Sequence, residues 1–185
     1  MGLFVQTMEE IINHLQRYYR SKTAVEKSVE KAVDVLLASK KIFVYGAGRS
    51  GMIGRMFAQR LMHLDLACFY LSETITPAFT KDDCLVVISG SGETLTPISI
   101  TKGASEIGGQ IILLSANLQS TIGKLANQII FIEGQTKDAK QESLAPFTSL
   151  FDITALVVCD SMARVIMYRL GKTEADIHRT HATLE

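Results

Sequence analysis

Leu85-Val-Val-Ile88 runs straight into Ser89-Gly-Ser-Gly-Glu-Thr94, and a helix-compatible segment, Thr94–Ile107, follows. The four-residue run is apolar throughout, β-prone, too short for a helix and bounded by small polar residues. That is the pattern of a strand buried on both faces. Four other runs share it: Ile42–Tyr45, Ala67–Leu71, Ile111–Leu114 and Ile129–Ile132. Helix-compatible stretches, Gly51–Leu64, Thr94–Ile107 and Ser120–Ala126, separate most of them. Continuous apolar strands alternating with helices predict an α/β fold, a three-layer sandwich whose five-stranded parallel sheet carries helices on both faces.

Working outward, a long apolar helix is expected from roughly Thr148 to Leu170, with a short helix before the tail. Two amphipathic helices lead the chain. Met8, Ile11, Ile12, Leu15 and Tyr19 share one side of the first; Val25, Val29, Val33 and Leu36 recur at helical spacing in the second, where Thr23-Ala-Val-Glu26 has the form of a capping box. Their stripes must be covered by the sheet or by another subunit. With 185 residues and no linker or repeat, a single domain is expected, with leading helices over 1–39, an α/β core over 40–145 and C-terminal helices and tail over 146–185.

Composition narrows the function. Apolar residues make up 47% and charged residues 21%, a globular balance. Nineteen basic residues offset nineteen acidic ones, so the positive excess of a nucleic-acid binder is missing. No apolar run reaches the roughly 18–20 residues of a membrane span. The opening MGLFVQTMEEII lacks the basic region of a secretory signal, and a cytoplasmic location is expected. Cys68, Cys84 and Cys159 are widely spaced in apolar segments and read as buried small hydrophobes, so no metal is expected.

In a parallel sheet, ligands bind where strands end and helices begin. After the first strand, Gly46-Ala-Gly-Arg-Ser-Gly51 matches GxGxxG, with Glu73 standing about twenty positions on, where a dinucleotide fold places its ribose ligand. Arg49 and Ser50 suit a phosphorylated sugar equally well. Ser89-Gly-Ser-Gly-Glu-Thr94 is more informative. Gly90 and Gly92 let the backbone fold round an anion, and Ser89, Ser91 and Thr94 offer hydroxyls beside a helix N-terminus. The loop lacks the lysine of a P-loop, which favours a phosphomonoester over a nucleoside triphosphate.

This loop resembles the phosphosugar loop of sugar isomerase (SIS) domains, which have a flavodoxin-like sheet. Within that superfamily the chain is most similar to the 6-phospho-3-hexuloisomerase family. The similarity is carried by Gly46–Gly51, Arg60-Leu-Met-His-Leu64, Ser72-Glu-Thr-Ile-Thr-Pro77, Asp82-Asp83, Ser89–Thr94 and His181-Ala-Thr-Leu-Glu185, and spans nearly the whole chain. It implies interconversion of 3-hexulose 6-phosphate and fructose 6-phosphate through a cis-enediol, after formaldehyde fixation onto ribulose 5-phosphate, without cofactor or metal.

The resemblance implies a base at Asp152 and an acid/base group at His181 supplied across a subunit boundary, while Glu73, which follows the second strand at the ligand-bearing edge, is a candidate for a sugar-hydroxyl or acid/base role. Arg49, Ser50, Ser89, Gly90, Ser91, Gly92, Glu93 and Thr94 form the expected phosphate-binding set, with Arg49 equally suited to a carboxylate in the next subunit, and the assembly that the resemblance implies is a homotetramer. Two positions depart from the family. Phe151-Asp152 stands where the family has Phe-Glu, and Thr183 replaces an asparagine of the tail. His63 and the methionines at 52, 56 and 62 read as packing residues, and Asp82 and Asp83 as solvated turn formers. Three alternatives stay open: an isomerase of another phosphosugar acting between C1 and C2, a non-catalytic phosphosugar sensor, and a dinucleotide oxidoreductase resting on GAGRSG alone.

Overall fold

The computed structural model describes residues 1–134 and 143–184. Helices α1 (Leu3–Arg20) and α2 (Lys22–Ala38) lead into β1 (Ile42–Gly46), α3 (Arg49–His63), β2 (Cys68–Tyr70), β3 (Cys84–Ile88), α4 (Leu95–Ile107), β4 (Gln110–Ser115) and β5 (Gln128–Phe131). Helices α5 (Ser149–Arg169) and α6 (Glu174–Thr180) close the chain. The five strands form one sheet in the order β2-β1-β3-β4-β5, and every neighbouring pair is parallel.

Strand alternation sorts the core into two. Ile42, Val44, Val86, Ile88, Ile112 and Leu114 face α2, α3 and α5, meeting Leu36, Phe57, Leu61, Ala155 and Met162. Phe43, Leu85, Val87 and Leu113 face the other way, against Ala104 of α4 and Ile122. The three-layer α/β sandwich is therefore unequal, because α4 is the one regular helix on the second face among the described residues.

The predicted helix over Ser120–Ala126 is a series of hydrogen-bonded turns instead. Side chains have taken over its amides. The Gly123 N–H donates to Ser120 Oγ (3.0 Å), and the Thr121 N–H and hydroxyl donate to the Glu93 carboxylate (both 2.7 Å). Such local bonds compete with helix formation. The predicted capping box at Thr23 is also absent, since α2 already begins at Lys22 after a one-residue break at Ser21. A real capping box closes Thr173 against Asp176 at the start of α6.

Helix α1 is pinned by polar contacts more than by an apolar stripe. With its proton on Nε2, buried His14 donates to the Glu133 carbonyl (3.1 Å) and to Thr154 Oγ1 (3.0 Å), whose own proton goes to the Leu150 carbonyl (2.8 Å). Tyr18 donates to the Phe131 carbonyl (2.7 Å), and burial pushes its phenol pKa up. Leu3, Phe4, Val5, Met8 and Ile12 stay exposed.

The three thiols are free, Cys84 and Cys159 are buried, and burial holds Cys68 and Cys84 up at about 12. Asp83 is not the solvated residue expected of a turn. It is fully buried, accepts the Thr80 amide (2.7 Å) and hydroxyl (2.8 Å), and lies 3.3 Å from Lys41 Nζ. Asp82 remains outside, paired with Lys40 at 2.6 Å. No helix among the described residues is long and apolar enough to cross a membrane.

Strand order positions the site. From β1 the chain crosses to β2 on one side, and from β3 to β4 on the other. Gly46 and Ile88 are register partners at the carboxyl ends of β1 and β3, so the loops that follow them diverge. A crevice opens at this switch point.

Candidate active site

The loop after β1 turns sharply into α3. A Cβ on Gly46 would lie 2.7 Å from the Ser50 carbonyl carbon and oxygen, and one on Gly51 would lie 2.6 Å from the Gly46 oxygen. These glycines let strand and helix approach each other backbone to backbone, and Tyr70 fixes the turn by donating to the Gly46 carbonyl (2.9 Å). Gly48, at φ 57°, supplies the left-handed step before Arg49. Arg49 and Ser50 thereby sit in the first turn of α3, at the crevice.

The loop after β3 is held from within. The Gly92 N–H donates to Ser89 Oγ (3.2 Å), the Glu93 N–H to Ser91 Oγ (3.2 Å), and the Ser115 hydroxyl to the Gly90 carbonyl (3.0 Å). Gly90 lies against the Phe151 ring, where a Cβ would be 3.5 Å from ring carbons. Gly92 has φ +65°, and a Cβ there would overlap Ser120. Thr94 is the N-cap of α4 but makes no side-chain capping bond, so its hydroxyl is uncommitted. A cavity of about 240 Å³ is lined by Arg49, Ser50, Ser89, Ser91 and Thr94, with the N-termini of α3 and α4 at its edge. Hydroxyls, free helix-start amides and one guanidinium make an anion cup.

Asp152, in the first turn of α5, stands directly behind this cup. It is only 4% exposed, and its Oδ2 accepts Arg49 Nε–H (2.6 Å) and the Thr148 hydroxyl (2.8 Å). Oδ1 is buried and has no hydrogen-bond partner among the described residues. Arg49 and Thr148 line the cavity, whereas Asp152 is screened from it by them. Two wall residues escaped the sequence reading. Thr148 could have been found as the N-cap four residues before an acidic side chain. Phe147, at φ 40°, carried no local signal.

Three of the expected site residues lie elsewhere in this chain. Glu73 is paired with Arg55, whose guanidinium also stacks over Tyr70 at 4.0 Å from the ring centre, outside the cavity wall. Glu93 turns away to hold the Thr121 turn and acts as a brace for the loop. His181 packs on His63, with ring centres 5.3 Å apart and planes 24° apart. His63 closes α3, and that helix spans about 22 Å at 1.5 Å per residue, so the pair sits at the far end from Arg49. Burial, followed by the neighbouring His181 and Arg60, lowers the His63 pKa. Its Nδ1 is buried without a partner among the described residues. Those residues contain no cluster of three or more His, Cys, Asp or Glu side chains placed to hold a metal.

A Glu73→Gln variant follows from this geometry. With Glu73 committed to Arg55 on the surface, inorganic phosphate should bind the variant within about threefold of its wild-type affinity, consistent with the small worth of an exposed ion pair. A hundredfold loss in calorimetric titration would return Glu73 to the cavity.

Comparison with known proteins agrees with the sheet. The family model of the SIS domain matches residues 35–160. A 3-hexulose-6-phosphate isomerase of Methanocaldococcus jannaschii is 35% identical over 170 residues, covering 92% of this chain and 91% of that protein. One from Bacillus subtilis (strain 168) is 32% identical over 185 residues, covering 98% and 100%. A crystal structure from Methanococcus jannaschii, from which a 3-hexulose-6-phosphate isomerase function was inferred, superposes with a TM-score of 0.83 at 32% identity, covering 98% of each chain.

Proposed function

Because the chain belongs to the SIS domain family, we propose that it is a ketose isomerase that interconverts 3-hexulose 6-phosphate and fructose 6-phosphate without a cofactor. The observation that carries this reading is a hydroxyl-lined anion cup at two helix N-termini, with a buried carboxylate one side chain behind it. The two relatives at 35% and 32% identity that carry the isomerase name supply the substrate class.

The cup holds the 6-phosphate through Ser50, Ser89, Ser91, Thr94 and the amides of α3 and α4. Asp152 removes the proton from C3 of fructose 6-phosphate while a general acid protonates the C2 oxygen, leaving a cis-enediol. Asp152 then returns its proton to C2, and the C3 hydroxyl gives up its proton to form the new carbonyl. Atoms balance and no electron leaves the substrate, so one carboxylate and one oxygen-directed acid/base suffice.

A second copy of the chain supplies that acid/base as His181, stacked on His63. Geometry supports the assignment. Met56 lies midway along α3, seven residues from both Arg49 and His63, and Met52 and Met56 are exposed. Two α3 helices packed antiparallel about Met56 would set the histidine pair of each chain at the cup of the other. The homotetramer of the resembled family would contain two such pairs. Separately inactive Asp152→Asn and His181→Ala chains, unfolded and refolded together, should then recover about a quarter of wild-type activity, the yield of one intact site in each mixed pair. Recovery of none would confine each site to one chain.

The decisive experiment is fructose 6-phosphate incubated with the protein in heavy water, with deuterium located by NMR. Label at C3 supports the 2,3-enediol. Label at C1 would make this an aldose–ketose isomerase. Stabilisation against heat with no exchange would leave a phosphosugar-binding protein.

A further inference from the structure

Among the described residues, Arg49 is the one charged side chain that touches both the anion cup and the buried carboxylate. It lines the cavity beside Ser50, Ser89, Ser91 and Thr94, and its side chain is 61% exposed although it holds a carboxylate that is 4% exposed. Only its Nε–H is used, on Asp152 Oδ2; neither Nη group has a hydrogen-bond partner among the described residues. Asp152 meanwhile has one oxygen occupied twice and the other buried, and it does not reach the cavity wall. In this arrangement the carboxylate cannot take a proton from a sugar carbon.

We infer that Arg49 is a phosphate-triggered latch: it covers Asp152 in the empty chain and transfers its guanidinium to the phosphate of the incoming sugar, which exposes the carboxylate. This rests on the phosphosugar reading above and deepens it by making the phosphate a switch as well as an anchor. A guanidinium matches a phosphate at least as well as a carboxylate, because its planar fork can donate two parallel N–H bonds to either. The phosphate brings a second negative charge and lies among donors already aimed at an anion, so the exchange runs toward it. A sugar lacking the phosphate leaves the latch shut. Selectivity for phosphorylated substrates then lies in catalysis as well as in binding, since binding energy remote from the reacting carbon is used to assemble the base.

Competition between two anions for one guanidinium has a readout that needs no turnover. Inorganic phosphate titrated calorimetrically into the wild-type protein should bind, and Asp152→Asn should tighten that binding roughly tenfold, since the asparagine no longer holds Arg49 with a charge. Arg49→Gln should weaken phosphate by a similar factor and abolish the gain when combined with Asp152→Asn. In arginine-labelled protein, the Arg49 Nε resonance should shift on adding phosphate and should begin near the shifted position in Asp152→Asn. Melting temperatures near wild type confirm that each variant is folded. Equal phosphate affinity in wild type and Asp152→Asn, with an unmoved Arg49 resonance, would overturn the latch and leave the isomerase reading standing. A wild-type protein that binds neither phosphate nor fructose 6-phosphate would remove that reading, and the latch with it.

Discussion

Asp152→Asn is expected to lower turnover of fructose 6-phosphate by on the order of 10³-fold, in the usual span for removing a general base. The substitution is nearly isosteric and buried, and the Thr148 hydroxyl can still donate to the amide oxygen that replaces Oδ2, so the fold should survive. What is lost is the lone pair that accepts a proton from carbon. Deuterium exchange into the substrate should fall in parallel with turnover, because the proton-transfer step itself is removed. Substrate affinity should hold or tighten, and the outcome is therefore a loss in kcat with no rise in KM. Full turnover in the variant would move the base to His181 or Glu73. A rise in KM with unchanged kcat would make Asp152 a binding group.

Gly46→Ala is expected to destabilise the protein by about 3 kcal/mol, the upper part of the overpacking range. The new methyl would stand 2.7 Å from the Ser50 carbonyl and 2.9 Å from the Gly51 nitrogen, which are backbone atoms that no rotamer change can clear. Relief requires the start of α3 to move off the end of β1, taking Arg49 and Ser50 with it. At roughly 2–4 °C per kcal/mol for a chain of this size, the melting temperature should fall by about 6–12 °C. Phosphate binding should weaken in the molecules that remain folded. Gly103→Ala is the control. That glycine lies inside α4 with nothing within 4 Å of a built Cβ, so alanine should be neutral or stabilise by up to about 1 kcal/mol. Equal melting temperatures for the two variants would mean that the β1–α3 junction yields to an added methyl group.

The same glycines show what GxGxxG means in this chain. In a dinucleotide fold, that spacing serves a tight turn, a close ligand approach and helix packing. Here Gly46 and Gly51 pack against each other, Gly48 makes the left-handed step, and Glu73, the would-be ribose ligand, is held by Arg55. The pattern recorded a close strand-to-helix approach and was silent on the ligand.

Much of the fold was legible because its causes are local. Five short apolar runs became five strands within a residue or two of their expected ends, since burial on both faces leaves no alternation to misread. The serine–glycine loop after β3 marked the anion cup for the same reason, as its hydroxyls and glycines lie within six residues of each other. Local reading failed where a side chain outcompeted the backbone. Ser120 and Glu93 drew the 120–126 segment into turns, and Asp83, expected in solvent, was buried by Thr80 and Lys41.

The pairings that set up chemistry were beyond the sequence by itself. Residue types and spacing determined the parallel sheet, the loops that would bear ligands and the candidacy of Arg49, whereas Asp152 and His181 became candidates through the family resemblance. Only the tertiary structure decided that Arg49 and Asp152, 103 positions apart, meet at 2.6 Å, and that His181 stacks on His63 at the opposite end of α3. The reason is physical: helix and strand signals act over a few residues, whereas the meeting of α3 with α5 depends on a strand order, β2-β1-β3-β4-β5, that is fixed by the packing of the whole sheet.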